Sequence, residues 1–88
     1  MRQPDPELVA AIEAAFMRRC REAGCWISGD GRVSEDSAAA LLGLAPGTLA
    51  NRRAEGSAPA FYRIGGPGCR TSYSLHDLAV WLAAHRVG

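Results

Sequence analysis

Apolar residues recur at helical spacing in three stretches of this chain, with a polar helix and a β-rich stretch set between the last two. Leu8, Ile12, Phe16 and Cys20 fall four residues apart, so they line one stripe of a helix predicted over residues 6–23. Asp5 stands at its N-cap and Pro6 at its first position. Arg18, Arg19 and Arg21 crowd the last turn, where cations suit the helix dipole, and Gly24 closes it. Ala38, Leu41 and Leu42 give a shorter apolar face over 35–42, capped by Ser34 and ended by Gly43. Pro46 opens a helix over 46–55 that Gly56 ends. The last helix, 75–86, is capped by Ser74, with Asp77 at capping-box spacing. Leu75, Leu78, Ala79 and Leu82 form its inner face and Trp81 its flank.

After Gly56 the pattern changes. Ser57-Ala58-Pro59 is a loop, and Ala60-Phe61-Tyr62-Arg63-Ile64 and Cys69-Arg70-Thr71-Ser72-Tyr73 read as two strands. Gly65-Gly66-Pro67-Gly68 is the turn that joins them into a β-hairpin. Cys25-Trp26-Ile27, the turn Gly29-Asp30-Gly31 and Arg32-Val33 leave two options open, a small hairpin or an extended link. Trp26, Phe61, Tyr62, Tyr73 and Trp81 are expected to be packing residues, Phe61 and Tyr73 beneath the hairpin, with Tyr62 the one expected to be exposed. The whole chain, 1–88, reads as one mainly α domain with a small β-hairpin, since 88 residues bury only one modest core.

Composition narrows the function classes. Sixteen residues are alanine, so strong core builders are few and an enclosed active site has little room. No run approaches the ~20 apolar residues of a membrane helix. Met1-Arg2-Gln3-Pro4-Asp5-Pro6 lacks the apolar centre of a signal peptide. The expectation is a cytoplasmic chain without membrane contact, whose three cysteines are reduced thiols. Neither the Cys20–Cys25 nor the His76–His85 spacing matches a zinc module, and no Cys–His–acid set stands out. Glu35 and Asp36 are helix N-terminal charges, and the glycine-rich turn lacks the Lys-Ser/Thr of a nucleotide loop. No enzyme activity, metal or cofactor is expected.

Charge changes the picture more. The net charge is only +1, yet residues 1–45 sum to −2, residues 46–74 to +3 and residues 75–88 to zero. A localised basic block is the footprint of a polyanion binder. All ten basic residues are arginine, so each contact can be a planar fork suited to phosphate or guanine. Two helices joined by a three-residue turn make a helix-turn-helix, and the hairpin that follows makes it winged.

Residues 33–85 resemble the excisionase and AlpA-type regulators of phages and mobile elements, within the MerR-like winged-helix superfamily. The likeness lies in three motifs. The first is Ser34-Glu35-Asp36-Ser37-Ala38-Ala39-Ala40-Leu41-Leu42-Gly43-Leu44. The second is Thr48-Leu49-Ala50-Asn51-Arg52-Arg53-Ala54-Glu55-Gly56. The third is Pro59-Ala60-Phe61-Tyr62-Arg63-Ile64-Gly65, followed by Tyr73, Asp77-Leu78 and Trp81-Leu82. The resemblance implies a winged helix-turn-helix, preceded here by an N-terminal helix, that binds double-stranded DNA.

Helical geometry assigns the roles. Ala39 and Gly43 are expected to let the two helices cross without a Cβ clash, over Ala38, Leu42, Leu44 and Leu49. With Leu49 inward and about 100° per residue, Gly47 and Asn51 point outward and Thr48 lies beside them. Asn51 is the candidate base reader, Gly47 permits close approach, and Thr48 suits a phosphate or base edge. Arg52 and Arg53 lie on opposite flanks as phosphate grips, and the stem of Arg52 can also cover the core. Arg63, Arg70 and Thr71 supply a second contact from the wing. Four arginines on phosphates would give a log–log salt slope of about −3.6. Ala45 lacks a capping side chain, which costs about 1 kcal/mol.

A single module offers only ~600–1,000 Å² of interface, so a homodimer or cooperative multimer on DNA is expected. An integrase or polymerase would be the protein partner. The N-terminal helix either packs within its own chain or pairs with a second copy. The alternative is a winged-helix assembly or protein-interaction module, such as a terminase small subunit or a replication accessory protein.

Overall fold

Side-chain caps start three of the four helices. Asp5 accepts the Glu7 amide at 2.9 Å, Ser34 the Ser37 amide at 3.2 Å and Ser74 the Asp77 amide at 2.9 Å. The computed structural model describes residues 4–65 and 70–87. In chain order they form α1 (Pro6–Ala23), β1 (Arg32–Ser34), α2 (Glu35–Leu42), α3 (Pro46–Glu55), β2 (Tyr62–Ile64), β3 (Arg70–Ser74) and α4 (Leu75–Ala84). α3 starts on Pro46 with Ala45 as an N-cap that makes no side-chain bond, as its sequence predicts. α4 ends two residues short of the predicted boundary, where the His85 amide turns back to Leu82.

Gly43 controls the turn between α2 and α3. Its φ is +74°, a region where a side chain would crowd the backbone. The Gly43 and Leu44 amides fold back onto the carbonyls of Ala40 and Ala39 at 3.1 and 2.8 Å. A Cβ placed on Gly43 would meet nothing within 4 Å. The predicted reason for this glycine, relief of a clash between crossing helices, is therefore corrected: the backbone angle requires it.

The predicted hairpin is present, with Tyr62 opposite Ser72, Arg63 opposite Thr71 and Ile64 opposite Arg70. Gly66, Pro67 and Gly68 of its predicted turn, and Cys69 of its returning strand, lie outside the described residues. The sheet has a third strand, from the stretch whose sequence is open between a small hairpin and an extended link. β1 pairs antiparallel with the other edge of β3, giving the order β1-β3-β2. The turn Ser28-Gly29-Asp30-Gly31 delivers it. Arg32 donates its amide to Ser28 Oγ and its guanidinium to Asp30 and to Ser72 Oγ.

Residues opposite each other share a face, and successive residues alternate. One face of the sheet thus carries Val33, Tyr73, Arg63 and Thr71; the other carries Arg32, Ser34, Ser72, Tyr62, Ile64 and Arg70. The core forms on the first face. Val33, Ala38, Ala39, Leu49, Tyr73, Leu78 and Ala79 are all fully buried. α1 packs chiefly on α4, within its own chain, through Val9, Phe16 and Cys20, with Leu8 and Ile12 partly buried. Trp26 departs from the expectation of a packing residue: it is 58% exposed. No described helix is long and apolar enough to cross a membrane.

Leu49 is the residue that α3 buries. Leu49→Ala is expected to cost about 2–5 kcal/mol in urea unfolding, the range for truncating a core leucine. A domain of this size holds only roughly 0.05–0.15 kcal/mol per residue, so that loss takes much of its stability.

Candidate nucleic-acid interface

Turning outward from Leu49, α3 presents Gly47, Thr48 and Asn51 to solvent. A Cβ at Gly47 would also meet nothing within 4 Å, so this end of the helix is open to approach. Thr48 sits in the first turn, where the helix dipole favours an anion.

Arg52 and Arg53 lie three and four residues beyond Leu49, so both turn back toward the body of the domain. The Arg52 guanidinium carbon sits 5.5 Å from the centroid of the Trp81 ring on α4. Trp81 in turn donates from Nε1 to the Ser57 carbonyl at 3.1 Å, which fixes the end of α3 against α4. Arg52 therefore does what its stem suggested: it covers apolar surface. Its Nε is buried and has no hydrogen-bond partner among the described residues.

Arg53 is held more fully. It forms an ion pair with Glu35 at the start of α2, and its Nη1 donates to Tyr73 Oη at 2.9 Å. Tyr73 Oη donates to Glu35 Oε2 at 3.4 Å, which closes a triangle between α3, α2 and β3. The Arg53 side chain is only 15% exposed. The Phe61 ring lies 5.6 Å from its guanidinium.

The hairpin residues divide between the two faces of the sheet. Arg63 and Thr71 stand on the Tyr73 face, and the Arg63 guanidinium is 5.8 Å from the same Phe61 ring. Arg70 stands on the opposite face with Tyr62 and Ile64. Arg63 and Arg70 are exposed, and Thr71 is half-buried. So the structure brings Gly47, Thr48 and Asn51 together on one surface and leaves Arg63 and Arg70 exposed. Arg52 and Arg53 are turned inward.

Sequence reasoning missed Glu35 and Tyr73 as partners of Arg53. Glu35 served as a dipole charge and Tyr73 as a packing ring. Phe61 is exposed as well as Tyr62, and it borders Tyr73 with ring centroids 6.2 Å apart. One signal was present: an arginine four residues after a core leucine needs a partner as it enters the body of the domain. No protein-family model, curated protein or solved structure matches this chain.

Burial pushes the Tyr73 phenol above its ordinary range, while the Arg53 guanidinium beside it pulls the other way. A phenol whose folded pKa is raised contributes stability below its unfolded pKa near 10, and that contribution is lost as pH rises through the folded value. Absorbance titration should show one of the two tyrosines ionising late, and Tyr73→Phe should abolish that late step. The same substitution should lower stability by about 1.5–3 kcal/mol, the range for a hydrogen bond to a charged group.

Proposed function

We propose that this chain is a winged helix-turn-helix protein that binds double-stranded DNA in a sequence-specific manner. α2 is the supporting helix, α3 enters the major groove, and the β2–β3 hairpin is the wing. The observation that carries the reading is the outer face of α3. Gly47, Thr48 and Asn51 stand exposed on it together, and two solvent-facing arginines, Arg63 and Arg70, lie on the hairpin.

The roles follow from side-chain chemistry. The Asn51 amide can donate and accept at once, which matches the N6 and N7 edge of adenine. Gly47 lets the backbone approach the groove, and Thr48 takes a phosphate or base edge at the helix N-terminus. Arg63 and Arg70 act as phosphate contacts or as probes of a narrow minor groove. Arg52 and Arg53 drop out of the phosphate count, since Arg52 stacks on Trp81 and Arg53 is ion-paired with Glu35. The cellular role would be that of a phage or mobile-element transcription regulator or an excisionase. Two or more copies would be needed for tight binding, with an integrase or polymerase as the protein partner.

A second reading has its own support. Trp26 and Ile64 are more than half exposed, which suits a protein contact in an assembly module such as a terminase small subunit. DNA binding separates the two.

Duplex fragments titrated at several salt concentrations give the first test. Two phosphate contacts predict a log–log slope of about −1.8, where four would give −3.6. Arg63→Ala and Arg70→Ala should each reduce the slope by about 0.9. Absence of duplex binding at low salt would favour the assembly reading.

Asn51→Ala tests specificity separately. It should weaken binding to the preferred site by about 1–3 kcal/mol while leaving random-sequence binding and the salt slope unchanged. Equal losses on both DNAs would remove Asn51 as a base reader.

A further inference from the structure

α3 is a ten-residue helix that buries one residue, Leu49. A helix fixed at a single point can pivot about it. Arg52 adds a second point by stacking on Trp81, which ties α3 to α4. Leu49 shares the apolar core with Tyr73, and Arg53 adds a directional link to the hairpin, because Tyr73 belongs to β3 and accepts from its Nη1 at 2.9 Å. The same guanidinium pairs with Glu35 of α2, and the Tyr73 hydroxyl donates to that carboxylate at 3.4 Å.

The partners of Arg53 make it a poor DNA ligand. Its guanidinium is occupied by a carboxylate, a phenol and the Phe61 ring. To reach a phosphate it would have to abandon Glu35, whose side chain is 24% exposed, and Tyr73, which is fully buried. That would leave a largely desolvated carboxylate without its counter-charge. Two residues before Arg53 on the same helix stands Asn51, exposed. Two residues before Tyr73 on the same strand stands Thr71, opposite Arg63. One charge cluster therefore joins the two elements that are proposed to touch DNA.

We infer that Arg53 is a positioning residue that locks α3 to the hairpin through Glu35 and Tyr73, so that both meet one duplex in fixed register. It does this without contacting DNA. The role rests on the DNA-binding reading above.

A charge exchange tests it. The Tyr73 hydroxyl both donates and accepts, so it can serve the pair in either orientation. Arg53→Glu alone sets two carboxylates together and should weaken duplex binding by at least tenfold. Adding Glu35→Arg should restore affinity to within about threefold. If Arg53 instead gripped a phosphate, the double variant would stay as weak as the single, because position 53 would still be negative.

Arg53→Lys is the milder companion if the exchange fails to fold. A lysine serves a phosphate as a point charge but lacks the planar guanidinium that lies against Phe61 and holds Nη1 between Glu35 and Tyr73. The lock predicts roughly tenfold weaker binding at an unchanged salt slope. It also predicts faster amide exchange at Arg63 and Thr71 in the free protein. Near-normal affinity of Arg53→Lys, or a slope lower by about 0.9 in Arg53→Ala, would overturn the positioning role. Unchanged hairpin exchange alongside normal DNA binding by the parent chain would overturn the lock alone. Failure of the parent chain to bind duplex would overturn the DNA reading and this role with it.

Discussion

A guanidinium withdrawn from water needs partners; Nη1 of Arg53 finds them on α2 and β3, beside Phe61 of the loop after α3, while Nε has no hydrogen-bond partner among the described residues. Much of the arrangement around it can be understood from that requirement. Glu35 stands in the first turn of α2, where the helix dipole already favours a carboxylate. Tyr73 is inserted from the central strand and satisfies both charged groups with one hydroxyl. Phe61 leaves the loop after α3 to border the guanidinium and is itself bordered by Arg63. A chain poor in large apolar residues thus joins α3 to the rest of the domain through charge as much as through hydrophobic area.

That arrangement separates tasks that a basic helix would otherwise combine. The inward side of α3 carries Leu49, Arg52 and Arg53, which hold the helix. The outward side carries Gly47, Thr48 and Asn51, followed by the exposed Ala54 and Glu55. In the proposed complex, specificity then rests on an amide and a hydroxyl at the helix, and long-range attraction on the two hairpin arginines. A reader of this kind has few phosphate contacts per copy. It would depend on repeated copies or on a protein partner for affinity.

The sequence carried much of this architecture, for reasons that can be stated. Helix limits were legible because Asp5, Ser34 and Ser74 act locally, within three residues, and because Gly24, Gly43 and Gly56 mark the ends. The hairpin was legible as two β-rich runs about a glycine turn. β1 was not, since a three-residue strand with one inward side chain, Val33, has no periodicity, and its partner lies forty residues away. Trp26 was misjudged because aromatic character predicts burial only where a neighbour exists to receive the ring. The outward set at the site was legible from helical angles alone. The fate of the arginines was only half legible. Their angles placed them on the flanks, but their partners Glu35, Tyr73 and Trp81 are distant in sequence, and charge composition alone counted both as free cations.

The most direct test of this division is to follow individual side chains by NMR as a duplex is added to isotope-labelled protein. The Asn51 side-chain amide and the Nε–H signals of Arg63 and Arg70 should shift. The Arg53 Nε–H, buried and turned inward, should stay in place. A large shift at Arg53 with none at Asn51 would contradict the account, since it would make the buried arginine the reader and the exposed face a bystander.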